Sequence, residues 1–183
     1  MILFIDACVR QGSRTRELAQ CLLEMLPGDV IYENIAEESF PVTDEEFITR
    51  RSTLSDAGDF SDPIFDWAKR FAMADLIIVA APYWDLSFPA CLKKYFEMVS
   101  ALGVTFRYEN DIPRGMCRAK KLYYVTTAGG SIFDPDHGYG YVRSLCSIFY
   151  GIKETAQIKA ENLDIEGSDA RSILEKAKAS IEV

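Results

Sequence analysis

The sequence predicts an α/β fold: a doubly wound, five-stranded parallel sheet in strand order 2-1-3-4-5, with helices on both faces. Three observations lead there. Short, continuous apolar runs of strand type recur along the chain, the strongest being Leu76-Ile77-Ile78-Val79-Ala80-Ala81. Segments with apolar residues at helical spacing separate them. No linker or internal repeat interrupts the alternation. Strands that are apolar throughout are buried on both faces, which a parallel sheet between helical layers provides. Right-handed crossovers leave few topologies, and the order 2-1-3-4-5 fits five strands best.

The elements follow in order. Residues 2–5 form a strand that ends at Asp6. Residues 14–26 form a helix with Leu18, Cys21, Leu22 and Met25 on one face, ended by Pro27-Gly28. Residues 30–35 are the second strand. Residues 36–60 are polar and acidic, read as an extended loop with a short helix near 44–51. Ser61-Asp62-Pro63 opens a helix with a hydroxyl or carboxylate cap and proline in its first turn. Its apolar face is Ile64, Trp67, Ala68 and Phe71.

The third strand, 76–81, precedes a helix over 89–102 that Gly103 stops. Residues 104–108 are extended, and 109–118 read as a loop containing Pro113 and Gly115. Residues 121–127 are the fourth core strand. The segment 128–140 holds four glycines and one proline and reads as a long ordered loop. Helical spacing resumes over 141–150, a fifth strand lies near 156–160, and Ser168 caps a last helix running to about 181.

Composition narrows the function classes. A chain of 183 residues, 49% hydrophobic, is expected to form one domain, 1–183, with a core that needs neither disulfide nor metal. The formal net charge of −8 disfavours nucleic acid, whose phosphates call for a basic footprint. Five scattered cysteines, Cys8, Cys21, Cys91, Cys117 and Cys146, without metal-ligand spacing read as reduced thiols. No signal peptide or membrane-spanning run is recognisable, so a cytoplasmic protein without membrane insertion is expected.

Three turns carry the chemistry. Gly12-Ser13-Arg14-Thr15 lies where the first strand feeds the first helix. A helix start offers free N–H groups to a phosphate, hydroxyls add donors, and Arg10, Arg14 or Arg16 add charge. Ser13 reads equally well as an ordinary helix cap. Neither a dinucleotide fingerprint nor a P-loop is present, and a monophosphate requires neither. The second turn, Pro82-Tyr83-Trp84-Asp85-Leu86, offers aromatic surface and backbone donors to a flat ring. The third is Thr126-Thr127-Ala128-Gly129-Gly130, whose glycines admit close approach of backbone to a ligand. In the expected sheet, strands 1, 3 and 4 are adjacent, so these turns meet at one crevice. A turn for a phosphate beside a turn for a ring suggests a nucleotide cofactor, here a flavin. The lone histidine, His137, sits in Asp134-Pro135-Asp136-His137-Gly138-Tyr139 and reads either as a proton donor or as a solvated loop residue. No metal site or nucleophile triad is discernible.

With these residues in view, the chain resembles the flavodoxin-like family of FMN-dependent NAD(P)H:quinone oxidoreductases and azoreductases. The resemblance rests on Gly12-Ser13-Arg14-Thr15, Ala80-Ala81-Pro82-Tyr83-Trp84-Asp85-Leu86, Leu92-Lys93-Lys94-Tyr95-Phe96-Glu97, Val104-Thr105-Phe106-Arg107-Tyr108 and Thr126-Thr127-Ala128-Gly129-Gly130. It implies a homodimer with non-covalent FMN, NAD(P)H as co-substrate, and a quinone, azo or similar small-molecule acceptor reduced in a second half-reaction. Ser13, Arg14 and Thr15 would then hold the phosphate, and Pro82 to Leu86 with Thr127 to Gly130 the ring. Tyr108 would line the substrate pocket, and His137 and Tyr139 would take catalytic roles. Phe88, Tyr95 and Tyr108 are read as exposed aromatics available to a second subunit. Three departures stand out: Ala7-Cys8-Val9-Arg10 replaces a serine-rich loop, Ala128 stands where the family's azoreductases commonly have a larger or charged residue, and Asp85 replaces the frequent asparagine. A carboxylate there would repel a reduced flavin unless protonated or turned away with only its backbone N–H in use. An electron carrier of flavodoxin type and a cofactor-free regulatory protein on the same fold stay open as alternatives.

Overall fold

The computed structural model describes all residues, Met1–Val183. Five parallel strands form the sheet: β1 (Ile2–Asp6), β2 (Val30–Asn34), β3 (Leu76–Ala80), β6 (Lys121–Thr127) and β7 (Glu154–Ala160). Their spatial order is β2-β1-β3-β6-β7, which is 2-1-3-4-5 when only sheet strands are counted. The other two strands, β4 (Phe106–Glu109) and β5 (Ile112–Gly115), pair with each other outside the sheet. The helices are α1 (Arg14–Glu24), α2 (Glu45–Asp56), α3 (Asp66–Met73), α4 (Ala90–Val99), α5 (Tyr139–Leu145) and α6 (Ala170–Ala179). No helix is long and apolar enough to cross a membrane.

Alternation along the strands divides the core into two layers. Leu3, Ile5, Ile77, Val79, Leu122 and Tyr124 face one side, where Phe71 of α3, Leu92 and Phe96 of α4 and Val142 of α5 cover them. Ile2, Phe4, Ile78, Ala80, Tyr123 and Val125 face the other, against Leu18 and Leu22 of α1 and Leu174 of α6. β1 and β3 are fully buried apart from partly exposed Leu76 at the start of β3, as their apolar runs Ile2–Ile5 and Leu76–Ala80 require, and the buried charge of Asp6 closes β1.

Several boundaries differ from the sequence reading, each for a local reason. Residues 109–118 are largely a hairpin rather than a loop: β4 and β5 turn at Asn110 and Asp111, both with positive φ (51° and 62°). Asn and Asp tolerate that conformation better than other side chains, which permits the tight turn without glycine. Asp169, not Ser168, caps α6, accepting the Ser172 N–H. The helix read over 44–51 continues to Asp56. The helix of 89–102 ends at Val99, because Thr105 Oγ1 takes the Ala101 N–H (3.1 Å) and donates to Val99 O (2.7 Å). The helix of 141–150 starts at Tyr139 and finishes as a π-turn over Cys146–Tyr150, closed by Gly151 at φ 75°.

Tyr95 is a correction of another kind. The sequence suggests an exposed aromatic, but Tyr95 is fully buried, and its hydroxyl donates to Glu33 Oε2 at 2.8 Å. Glu33, itself buried, also holds Arg70. Phe88 is half-buried against Phe96 and Tyr141, and only Tyr108 of the three aromatics is exposed.

Candidate functional site

β1, β3 and β6 are neighbours in register, so their carboxyl ends lie side by side: Asp6 pairs with Ala80, and Ala80 with Val125. The ladder runs past the strand ends. Ala7 N–H donates to Ala80 O (2.9 Å), Ala81 N–H to Val125 O (3.0 Å) and Tyr83 N–H to Thr127 O (3.0 Å). Three loops thus leave from one line, at the point where the order reverses between β1 and β3, the usual binding crevice of such sheets. A cavity of about 210 Å³ lies there. Ser13, Arg14 and Thr15 form one wall, with Val9, Arg10 and Gly12 from the preceding loop. Pro82, Tyr83 and Trp84 form the second wall, and Thr127 and Gly129 the third. Asp164, from the segment after β7, closes the ring.

The first wall is built from beneath. Asp6 is fully buried, and its carboxylate accepts from the Cys8 N–H (2.8 Å), from Arg16 Nε and from the Tyr32 hydroxyl. Arg16 then turns its remaining donors on the loop, reaching Arg10 O (2.9 Å), Gln11 O (3.0 Å) and Cys8 O. It therefore adds no free charge to the cavity, contrary to one possibility raised by the sequence. Reduced hydration and then Asp6 push the Tyr32 hydroxyl up to about 12, so it stays a donor at neutral pH. Ser13 caps α1, accepting the Arg16 N–H at 3.3 Å, while its own O–H remains available to a ligand. The N–H groups of Val9, Arg10, Gln11, Gly12 and Ser13 have no partner within the chain. Arg10 forms no ion pair and is the uncommitted cation beside them.

The walls are clasped together. Thr15 Oγ1 and Thr127 Oγ1, both buried, share a hydrogen bond of 2.6 Å that ties α1 to the end of β6. Arg14 pairs with Asp164 at 2.8 Å and donates to Leu163 O at 3.3 Å. Asp164 is held in turn by its N–H on Gly129 O (2.8 Å). A Cβ on Gly129 would stand 2.5 Å from the Asp164 carboxylate, so a larger residue there would push that side chain aside. Cys8 is buried below the loop, and burial above all pushes its thiol up to about 12. It stays protonated at neutral pH and is no nucleophile.

The aromatic turn is a miniature hairpin. Trp84 and Ser87 exchange backbone hydrogen bonds of 3.1 and 2.8 Å across Asp85 and Leu86. Asp85 and Leu86 both have positive φ, 49° and 66°, a conformation that costs energy for leucine above all. Both are exposed and stand outside the cavity lining, so the Asp85 carboxylate is turned away from it. Trp84 lines the cavity and keeps 38% of its surface exposed.

The loop after β6 is tethered to this turn. Phe133 N–H donates to the Tyr83 hydroxyl (3.4 Å), and Ser87 Oγ donates to His137 O (3.4 Å). His137 is exposed on that loop, beyond the cavity lining. Tyr139 is not brought to the cavity: its hydroxyl lies on Thr155, near the opposite end of the sheet, donating to the carbonyl at 3.1 Å. Ala128 is buried behind Thr127, and Gly130, like Tyr108 on the outlying hairpin, lies outside the cavity. Sequence reasoning missed Asp164, for which no local signal exists. It also missed the role of Arg16, which a buried aspartate at a strand end does signal, because such a charge needs a partner.

The comparisons agree with this architecture. A family model described as "Flavodoxin-like fold" matches residues 1–183. The chain is 33% identical over 194 residues to FMN-dependent NADH:quinone oxidoreductase 2 of Clostridium acetobutylicum, covering 97% of this chain and 96% of that protein. It is 38% identical over 117 residues to the FMN-dependent NADH:quinone oxidoreductase of Clostridium beijerinckii, a match spanning 63% of this chain and 59% of that protein. Among solved structures, an azoreductase from Bacillus anthracis str. Sterne superposes with a TM-score of 0.82 at 21% identity, covering 97% of this chain and 94% of that one. An FMN-dependent NADH-azoreductase from Bacillus anthracis str. Ames Ancestor, solved in complex with FMN, superposes at 0.78 and 16% identity, with 97% and 93% covered. At these identities the two superpositions speak for the fold alone.

Proposed function

The chain belongs to the flavodoxin-like family that includes the FMN-dependent NADH:quinone oxidoreductases, and from that premise we propose that it is an FMN-dependent oxidoreductase acting on quinones, azo compounds or similar acceptors. The observation that carries the reading is the row of five unpartnered N–H groups, Val9 to Ser13, in a loop whose residues, Gln11 excepted, line a cavity where three strand-end loops meet. Such a row, with the α1 N-terminus and the free Arg10 beside it, suits a phosphate dianion. The residues therefore fit FMN at its phosphate end, and Tyr83 with Trp84 offers an aromatic surface to a ring.

Ser13 O–H and the loop amides would hold the phosphate, and the Thr15–Thr127 clasp keeps that wall against β6. Bound FMN supplies two-electron chemistry, so that NADH, a proton and a quinone become NAD⁺ and a hydroquinone. His137, exposed on a loop tied to the Ser87 turn, is the residue we assign to proton delivery; Tyr139 supports the loop from behind. The alternatives of an electron carrier and a cofactor-free protein differ in what they retain and in what reduces them.

A homodimer belongs to the same reading. The cavity of about 210 Å³ is smaller than the 300–1,000 Å³, roughly, of sites that enclose a small molecule, so a ring must find part of its cover elsewhere. Trp84 is exposed at its wall, Leu86 on the same turn and Phe133 on the loop tethered to it, and Tyr108, Ile112 and Ile148 are exposed on the outlying hairpin and π-turn. Exposed apolar groups of this kind support a partner surface. The five free cysteines support a reducing, cytoplasmic setting.

The test is a visible spectrum of protein mixed with FMN, desalted, and then treated anaerobically with NADH or NADPH. Retained flavin absorbance that bleaches with a nicotinamide and returns with a quinone is the expected result. Retained flavin that no nicotinamide bleaches would indicate the carrier, and a colourless protein the cofactor-free reading.

Asp164 provides a second check. Its carboxylate occupies Arg14 at the rim and places a negative charge where a phosphate must enter. Asp164→Asn is expected to tighten FMN binding by about threefold while leaving thermal stability unchanged, since an exposed pair of this kind contributes about 0–1 kcal/mol. Weaker binding in that variant would show that Arg14 needs Asp164 to be positioned.

A further inference from the structure

We infer that Arg16, held by Asp6, is the positioning residue that turns the 8–13 loop into a phosphate receptor, acting from beneath without touching the ligand. The inference rests on the FMN reading above and extends it to a residue that lies outside the cavity lining.

The geometry is that of one guanidinium organising a main chain. Arg16 has five N–H donors in a planar fork. Nε binds the buried Asp6 carboxylate, and the two terminal nitrogens bind Cys8 O, Arg10 O and Gln11 O. In a trans peptide the carbonyl of one residue and the N–H of the next point in opposite directions. Drawing three carbonyls down onto Arg16 therefore sends the N–H groups of Val9, Gln11 and Gly12 the other way. Val9 and Gly12 line the cavity, and the N–H groups of Val9, Gln11 and Gly12 have no partner in the chain. A loop of mixed donors and acceptors would repel a phosphate as often as it bound one. With Cys8 O, Arg10 O and Gln11 O occupied from below, the N–H groups that follow them are left to the ligand.

Asp6 makes the arrangement fixed rather than occasional. Its three donors, the Cys8 N–H, Arg16 Nε and the Tyr32 hydroxyl, come from the loop, from α1 and from β2. The Arg16 side chain is 17% exposed and that of Asp6 is 0% exposed, so water competes little for either group. Ala7-Cys8-Val9-Arg10 contributes no hydroxyl donor of its own, so beside the Arg10 guanidinium and the Ser13 O–H the donors of this loop are its backbone N–H groups, and Arg16 is what aims them.

Arg16→Lys separates positioning from charge. A lysine keeps the charge and can pair with Asp6, but a single ammonium cannot reach three carbonyls in the fork geometry. Dissociation constants for FMN and for riboflavin, which lacks the phosphate, are measured by flavin fluorescence quenching on wild type and on Arg16→Lys, with thermal unfolding alongside. The expected result is an FMN affinity about tenfold weaker with riboflavin affinity unchanged, so that the wild-type preference for FMN shrinks by that factor. A general structural defect would weaken both flavins together. Asp6→Asn, which keeps the shape of the carboxylate but weakens its hold on Arg16, is expected to move the ratio in the same direction. An unchanged FMN-to-riboflavin ratio in a folded Arg16→Lys protein would overturn the positioning role while leaving the FMN reading intact. A wild type that binds neither flavin would overturn the functional reading and this role with it.

Discussion

Trp84→Ala is expected to weaken FMN binding by about tenfold while lowering folding stability by less than about 1 kcal/mol. The indole stands 38% exposed at the cavity wall and belongs to none of the hydrophobic core clusters, so its removal leaves the core packing in place. What disappears is aromatic surface available to a flat ring, and stacking on such surface contributes about 1–3 kcal/mol per ring in comparable sites. Riboflavin and FMN should suffer equally, because both carry the ring. This contrasts with Arg16→Lys, which is expected to discriminate between them. Unchanged flavin affinity and turnover in Trp84→Ala would remove this residue from the site.

Gly115→Ala is expected to lower stability by about 3 kcal/mol, the upper end for overpacking by a single methyl group. For a chain of 183 residues this corresponds to a fall in Tm of roughly 6–12 °C. The cause lies in two backbones that cross. A Cβ at residue 115 would lie 2.0 Å from the Gly151 nitrogen and 2.1 Å from the Tyr150 carbonyl carbon. Neither atom can rotate aside as a side chain would. The strand continues through Met116, whose N–H donates to Thr105 O (2.8 Å), and Cys117, whose N–H donates to Tyr150 O (3.2 Å). The hairpin would have to lift off the π-turn, uncovering Phe149 where it meets Phe106. Calorimetry of the purified variant decides the matter, and a Tm unchanged from wild type would mean that the hairpin moves freely against the π-turn.

The features legible in the sequence are those set by periodicity and by chain direction. Unbroken apolar runs announced buried strands, and parallel order then placed the turns after β1, β3 and β6 side by side. The eight residues Ser13, Arg14, Thr15, Pro82, Tyr83, Trp84, Thr127 and Gly129 consequently stand around one cavity. Features that depend on distant side chains were not legible. Asp164 reaches the cavity by folding back from β7 onto Gly129 and Arg14, and its neighbours Glu161 to Leu163 look like any polar loop. Tyr95 carries a hydroxyl that suggests a surface, but a buried glutamate from the edge strand β2 receives it. The hairpin at 106–115 was obscured by Pro113 and by a turn without glycine. Asn110-Asp111, two residues tolerant of positive φ, was the available clue. Arg14, Arg16 and Arg10 are close in sequence and looked equivalent. Only the buried charge of Asp6 distinguishes the second of them.

The clasp that closes the cavity also bears on the order in which the molecule is made. β1, β2 and β3 lie within the first 80 residues and are adjacent in the sheet, so a chain leaving the ribosome holds three contiguous strands early. The outer face of α1 remains uncovered far longer, because its partners on α6, Arg171 and Lys178 bound to Glu17, are among the last to be synthesised. The cavity has the same history: its walls span residues 9 to 164, and Arg14 waits for Asp164 across 149 intervening positions. A nascent chain halted before Asp164 would expose Arg14 beside the free loop amides. Synthesis of Asp164 then takes Arg14 out of that free state, so the finished fold meets an anion with the loop amides and Arg10 rather than with Arg14.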